Sequence, residues 1–479
     1  MKTTSLLFIL FTAIAFSCKT DKPDDAMADV LAIEHGLLPA VHVKGDAVTR
    51  FNLQERMAHY KVPGVSLAIV ENGKLKWAKG YGTANTETGT MVDTNTLFQA
   101  ASISKPLAAL AVLKMVEEGI LDLDADVNSY LKDWKIPENK FTQDEKVTLR
   151  GLLSHTAGVT VHGFPGYRQT DHFPTIIEVL NGQGNTARIM VDTIPGSIWR
   201  YSGGGYTIME KIIEDQSGLP FDEYMSKNIF QVIGMANSTY QQPLGKEFQG
   251  NVSAAYDAEG KIITGFWHNY PERAAAGLWT TPADLAKYCM EIQQVLAGKG
   301  DGILSRETIE MMLSRHQNDW GLGPSLRWEH DSLIFMHGGK NAGFTNNLIS
   351  FANRGNAVIV MTNADNGRQL ISEIEMAVSS YYNWGISEQR IVETIELPIE
   401  TLNRYAGNYR LRDRDIELNF TADDGRMVAI GEVGLFQFVP LSDSKFIDAE
   451  SGFEIEFQRD NGKEGFLLNN RSRFDKIHN

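Results

Sequence analysis

Disulfides are excluded by how little cysteine the chain carries, since Cys18 and Cys289 are the only two in 479 residues. Cys18 directly follows an N-terminal leader and is expected to be lipidated, which leaves Cys289 alone, so stability has to come from a buried core. Positive charge is also short, with 45 Lys and Arg against 60 Asp and Glu, a net charge of −15. That balance argues against a nucleic-acid partner and gives no reason to expect a polybasic membrane contact. No Gly-x-Ser-x-Gly elbow occurs, which excludes the α/β-hydrolase arrangement. There is no His-Glu-x-x-His, and the histidines lack metal-ligand spacing, so neither a metal nor another cofactor is expected. A chain of this length holds two or three domains.

What is present begins with the leader. Met1-Lys2-Thr3-Thr4-Ser5 is followed by an apolar run, Leu6 to Phe16, and then by Ser17-Cys18. A basic start, a short apolar core and a small residue before cysteine predict a secretory signal over residues 1–17. The run is too short to span a bilayer as a mature helix. Cys18 after Ala15-Phe16-Ser17 resembles a bacterial lipoprotein box, with Phe16 bulkier than that pattern usually carries. The expectation is lipidation of Cys18, a polar tether over 18–42, and membrane attachment through that anchor alone. This would make the protein an exported lipoprotein of the cell envelope, periplasmic or surface-facing. Plain secretion, with Cys18 incidental, is the alternative.

Further on, Val62–Val70 and Leu75–Gly82 read as strands, with Asn72-Gly73 between them. Asn-Gly between two such runs is a strong short-range hairpin signal. Helical patterns follow at 103–118, 204–217 and 282–297, and late strands at 346–351 and 356–362. Blocks of helices and strands, not strictly alternating, predict an α+β domain with an antiparallel sheet over residues 43–390. After Arg390 the texture changes to short alternating strands at 414–420, 426–430, 435–439, 453–459 and 465–469. Residues 396–479 therefore read as a small all-β module, sandwich or barrel.

Ser102-Ile103-Ser104-Lys105 precedes the apolar run Pro106 to Leu113. Pro106 lacks an N–H, which is harmless only in a first helical turn, so a helix starts near Ser102 or Ile103. Gly119 ends it. On such a helix Ser102 and Lys105 share one face, and the amine can reach the hydroxyl. Serine needs a base to become a nucleophile, and lysine serves only if burial or positive potential lowers its pKa. The helix N-terminus supplies such potential and leaves the Ser102 N–H available to an oxyanion. The same spacing recurs at Ser129–Lys132 and Ser442–Lys445, but neither pair has an apolar helix behind it.

Two further stretches carry chemistry. Tyr201 stands before Ser202-Gly203-Gly204-Gly205, where backbone can approach a ligand closely. A tyrosine there can relay a proton if nearby cations depress its pKa. His337-Gly338-Gly339-Lys340 leads toward a late strand, and a glycine-flanked edge strand can pair with a substrate backbone and donate an N–H to an oxyanion. His155, in Ser-His-Thr-Ala-Gly, reads as a structural loop histidine. Phe164, Tyr167, Phe173, Trp199 and Phe344 could line an acyl pocket or simply be core.

In the order Ser-x-x-Lys, Tyr-x-x and His-Gly-Gly, residues 45–385 resemble the class C β-lactamase and penicillin-recognising serine hydrolase family, which includes esterases and D-amino-acid peptidases. Supporting stretches are Gly151–Gly158, Pro195-Gly196-Ser197, Ile233-Gly234-Met235 and Gly277–Ala286. The resemblance implies a β-lactamase/transpeptidase-like fold, an antiparallel sheet flanked by helices beside a helical subdomain, with the site at their junction. It likens the C-terminal module to the lipocalin-like β domain of some relatives. It also implies Ser102 as acylated nucleophile, Lys105 as base and Tyr201 as proton shuttle. His337, Gly338 and Gly339 would occupy the family's Lys-Thr-Gly strand, and the N–H groups of Ser102 and Lys340 the oxyanion site. Two departures matter. Gly203 stands where the family carries an asparagine that contacts a substrate acyl-amide, and His337 stands where it carries a lysine. Both point away from an efficient β-lactamase and leave acyl transfer intact. The expected function is an envelope serine hydrolase acting on a small ester, amide or D-amino-acid peptide. A β-lactamase is the first alternative, and a non-catalytic lipoprotein that binds wall fragments the second. The oligomeric state is not legible.

Overall fold

The computed structural model describes residues 23–477 other than 413, 432, 433 and 461. The leader and Cys18 lie outside the described residues. The stretch expected to be a tether is folded from Pro23 onward. Pro23–Glu34 is a helix, and its Val30 and Ile33, spaced to share one face, are buried against the main domain. Val41–Val43 is a strand paired in parallel with Arg390–Val392.

The centre of the molecule is a seven-stranded sheet. From one edge to the other its strands are Thr90–Met91, Lys74–Asn85, Gly64–Glu71, Ala357–Thr362, Phe344–Phe351, Ser332–Asn341 and Ser325–Glu329. Every neighbouring pair is antiparallel. The first hairpin turns at Asn72-Gly73, both at positive φ (54° and 72°), as a type I′ turn requires. Both faces of the sheet are covered, and the pleat divides its side chains between two cores. Ile359 and Met361 join the core under helices Ser104–Glu117 and Pro282–Leu296, while Val358 and Val360 join the one under helix Gly367–Tyr382.

A helical region around Gly203–Ser217 packs against helix Ser104–Glu117 and shares its core. The Ser332–Asn341 strand is shielded by Ser325–Glu329 only as far as Met336, so its stretch from His337 onward is an open edge. A 3-10 turn, Ala101–Ile103, lies against that edge and leads into Ser104–Glu117.

Gly407–Ile477 closes into an eight-stranded antiparallel barrel. Its axis is filled by Tyr409, Phe420, Met427, Phe438, Phe446, Phe457, Phe466 and Phe474, all buried in one cluster. Eight strands leave an interior that side chains can fill, and here they do. Helix Ile399–Tyr405 adds Leu402 to this core. The barrel is fastened to the main domain by Val41, Val392 and Ile447, and by hydrogen bonds from the Ala40 and Val41 N–H groups to the Glu450 and Ala449 carbonyls. The buried Arg56 guanidinium adds an ionic link, held by both Glu373 of the main domain and Glu450 of the barrel.

Candidate active site

The corner that carries Ser102 is strained. Ala101 has φ +53°, the left-handed region that a residue with a Cβ avoids, and Ser102 follows it directly. Three bonds hold the corner in place: Ala100 N–H to the Leu278 carbonyl, Leu278 N–H to Ser104 Oγ, and the Tyr240 hydroxyl to the Ser104 carbonyl. Lys105 is one turn further on and is buried. Its Nζ lies 3.1 Å from Ser102 Oγ and 2.7 Å from the Ala275 carbonyl oxygen, both uncharged groups. Among the described residues no carboxylate pairs with it. Burial alone lowers its pKa from 10.5 to about 7. That is on the order of 5 kcal/mol withdrawn from the charged form. At neutral pH a large share of Lys105 is free amine, able to take the Ser102 proton.

The open edge faces this corner. Gly339 sits so close that a Cβ there would meet the Ala100 carbonyl oxygen at 2.1 Å. The strand turns at Ala342-Gly343, which makes Asn341–Phe344 a hydrogen-bonded pair and Lys340–Thr345 a non-bonded one. The Lys340 N–H therefore points out of the sheet at the open edge, as a free backbone donor facing the Ser102 corner. Its side chain turns away and pairs with Asp365. The His-Gly-Gly segment is part of the strand itself and does not precede it.

His337 is buried, with Nδ1 2.6 Å from the Gly338 carbonyl oxygen, so Nδ1 carries the proton. Nε2 is left as a buried acceptor with no partner among the described residues. Burial and the nearby Lys105 bring the His337 pKa down to about 3. The position therefore carries no positive charge at working pH.

Tyr201 completes the cluster. Its ring centroid lies 4.9 Å from Lys105 Nζ and 6.1 Å from the His337 ring, and its buried hydroxyl, beside the Ser102 side chain, has no hydrogen-bond partner among the described residues. A depressed pKa here would need nearby cations to outweigh burial. Burial instead pushes it up, with the Ser102 contact pulling weakly the other way. The group available is a neutral phenol that can donate and accept a proton, not a phenolate.

The position of the missing asparagine is occupied. A Cβ on Gly203 would meet Phe164 Cε2 at 2.7 Å and the His162 carbonyl oxygen at 3.1 Å. Phe344 is core, packed between Phe98 and Trp279, and Tyr167 is buried with its hydroxyl accepting from the Asn185 N–H. Trp199 does lie near the site, against Trp320, whose ring is 5.7 Å from Tyr201 and 5.6 Å from His337. Sequence reasoning missed Trp320 and Ala275, since neither belongs to a motif. Among the described residues no group of three or more His, Cys, Asp or Glu could hold a metal ion.

The family model described as Beta-lactamase matches residues 50–377, more than half of the chain. The chain belongs to the beta-lactamase family. Within that family it is 27% identical over 308 residues to PbpX of Bacillus subtilis (strain 168), named as a candidate penicillin-binding protein, covering 63% of this chain and 71% of PbpX. It is 25% identical over 227 residues to protein flp of Staphylococcus aureus (strain N315), covering 47% of this chain and 44% of flp. The chain thus spans less than half the length of that relative. The octameric penicillin-binding protein homologue from Pyrococcus abyssi superposes with a TM-score of 0.60 at 24% identity, over 88% of this chain and 98% of that one. SurE with D-Leu gives 0.57 at 21% identity, over 89% and 97%. These two likenesses establish a shared fold, a β-lactamase/transpeptidase-like α+β domain followed by a β-barrel.

Proposed function

We propose that this chain is a serine hydrolase that cleaves an ester or amide bond, D-amino-acid peptide bonds included, through an acyl-enzyme on Ser102. One observation carries the reading: a buried Lys105 amine 3.1 Å from Ser102 Oγ, held by a neutral carbonyl and with a pKa of about 7. Lys105 takes the Ser102 proton as Oγ attacks the substrate carbonyl carbon. The tetrahedral oxyanion is met by the Ser102 and Lys340 N–H groups. Tyr201 passes a proton to the departing oxygen or nitrogen while Lys105 replenishes it, and the carbonyl re-forms on Ser102. Water then attacks that ester, its proton returning through the same pair as Oγ leaves.

The uncharged His337 offers no cation to a β-lactam carboxylate, and Gly203 offers no side-chain amide. Esters and D-amino-acid peptides are therefore the first substrates to try, the latter because a structural neighbour was solved with D-Leu. The test is hydrolysis of p-nitrophenyl acetate, D-Ala-D-Ala peptides and nitrocefin by the wild type and by Ser102→Ala. The reading expects ester or peptide turnover that disappears in Ser102→Ala. Turnover retained by Ser102→Ala overturns it, and efficient nitrocefin turnover transfers the function to the β-lactamase alternative. Binding of wall fragments with no turnover of any substrate favours the non-catalytic reading.

A further inference from the structure

Tyr201 is gripped on both sides by one residue, and that residue is His155. The Arg200 N–H donates to the His155 carbonyl at 2.9 Å, and the Ser202 N–H donates to His155 Nδ1 at 3.1 Å. The two bonds bracket Tyr201 in sequence. Its ring lies on the imidazole between them, centroids 4.3 Å apart and planes inclined by 35°. On its other sides the imidazole meets Trp199, Tyr206 and Trp320. The loop that delivers this ring is strained, with His155 at φ +61°. Such a conformation costs on the order of 1 kcal/mol and persists where the surroundings enforce it.

We infer that His155 is a positioning residue for Tyr201, setting the phenol's place through a two-point backbone clamp and a ring contact. The inference rests on the serine-hydrolase reading above. Because Nδ1 accepts from Ser202, the ring proton sits on Nε2, which is buried and has no partner among the described residues. Burial, with Lys105, His337 and His162 nearby, keeps the imidazole uncharged. It is no base for Ser102, whose proton goes to Lys105. Its acceptor faces the main chain and its flat face carries the phenol.

The ring and the acceptor can be separated by substitution. His155→Phe keeps an aromatic face and loses the acceptor, while His155→Asn loses the ring and places an amide oxygen near the Nδ1 position. Each would be combined with Tyr201→Phe in the full chain. Ester turnover and the rate of Ser102 labelling by a fluorophosphonate would both be followed, with a thermal melt to confirm folding. The expectation is a fall in kcat of about tenfold or more for His155→Phe with KM within about twofold, in the range of acid–base contributions. His155→Asn should recover part of that loss. In the Tyr201→Phe background His155→Phe should cost little more, because both act through one phenol. Equal losses in both backgrounds, or wild-type kcat in His155→Phe, overturn the inference. Slowed but Ser102-specific labelling in the His155 variants leaves the serine-hydrolase reading intact, whereas turnover surviving Ser102→Ala removes that reading separately.

Discussion

Gly339 touches Ala100: a Cβ on the glycine would stand 2.1 Å from the alanine's carbonyl oxygen. No rotamer relieves a clash between backbone and Cβ, so Gly339→Ala must push the edge strand off the serine corner. A displacement near 1 Å at reacting groups costs about a hundredfold in rate. Gly338 next to it is exposed, and its Cβ would meet Asn347 Oδ1 at 3.6 Å and the Asn346 carbonyl oxygen at 3.8 Å, both ordinary contacts. Steady-state ester hydrolysis should fall by about that factor in Gly339→Ala and stay within a few-fold in Gly338→Ala. Equal effects would mean that the close approach does not set the oxyanion geometry.

Activity should follow the ionisation of Lys105. With its pKa near 7, the free amine that accepts the Ser102 proton appears as pH rises through neutrality. The pre-steady-state acylation rate should climb with an apparent pKa near 7 and then level. Lys105→Arg cannot lose its charge in this range and should be inactive at every pH. A flat acylation profile between pH 6 and 9 would contradict this role.

The same burial destabilises the fold. Lys105 titrates near 7 when folded and near 10.5 when unfolded, so between those values the unfolded chain binds the extra proton. Its contribution is therefore most unfavourable below about pH 7 and fades as pH rises toward 10.5. Lys105→Met should raise Tm by several degrees at neutral pH while abolishing activity, and the gap should narrow in alkaline buffer. Melting curves at several pH values check this, and a Tm gap independent of pH would count against it.

Phe164 fills the direction in which a side chain on Gly203 would project, 2.7 Å from the hypothetical Cβ. Gly203→Asn alone should cost about 1–3 kcal/mol through overpacking and lower Tm by a few degrees. Adding Phe164→Ala should restore part of that loss. If the double variant melts no higher than Gly203→Asn, Phe164 is not what excludes the side chain.

Much of this was legible from residue order. The hairpin around Asn72-Gly73 could be read because type I′ geometry needs those residues, and Ser102–Lys105 because Pro106 marks a first helical turn. Three barrel strands, Gly407–Leu411, Lys445–Asp448 and Ser472–Ile477, went unread because they are short and weakly alternating. The closure of the module into a barrel depends on pairing Gly407–Leu411 with Ser472–Ile477, a contact between its two ends. Helix Pro23–Glu34, inside the stretch expected as a tether over 18–42, went unread because three Asp and one Glu interrupt its apolar residues and only Val30 and Ile33 join a core. At the site, Ala275 contributes a backbone carbonyl, which no side-chain pattern announces. His155 was visible as a residue, but its grip on Tyr201 spans two loops that meet only in the fold. The depressed pKa of Lys105 and the raised pKa of Tyr201 both follow from enclosure by distant segments, which residue order does not show.

The central claim is that Ser102 is the nucleophile and Lys105 its base. Intact-mass spectrometry after treatment with a fluorophosphonate, with peptide mapping, tests it most directly. One adduct per chain is expected, on Ser102, formed faster as pH rises through about 7 and absent in Ser102→Ala and Lys105→Met. An adduct on another residue, or undiminished labelling of Ser102→Ala, would contradict it.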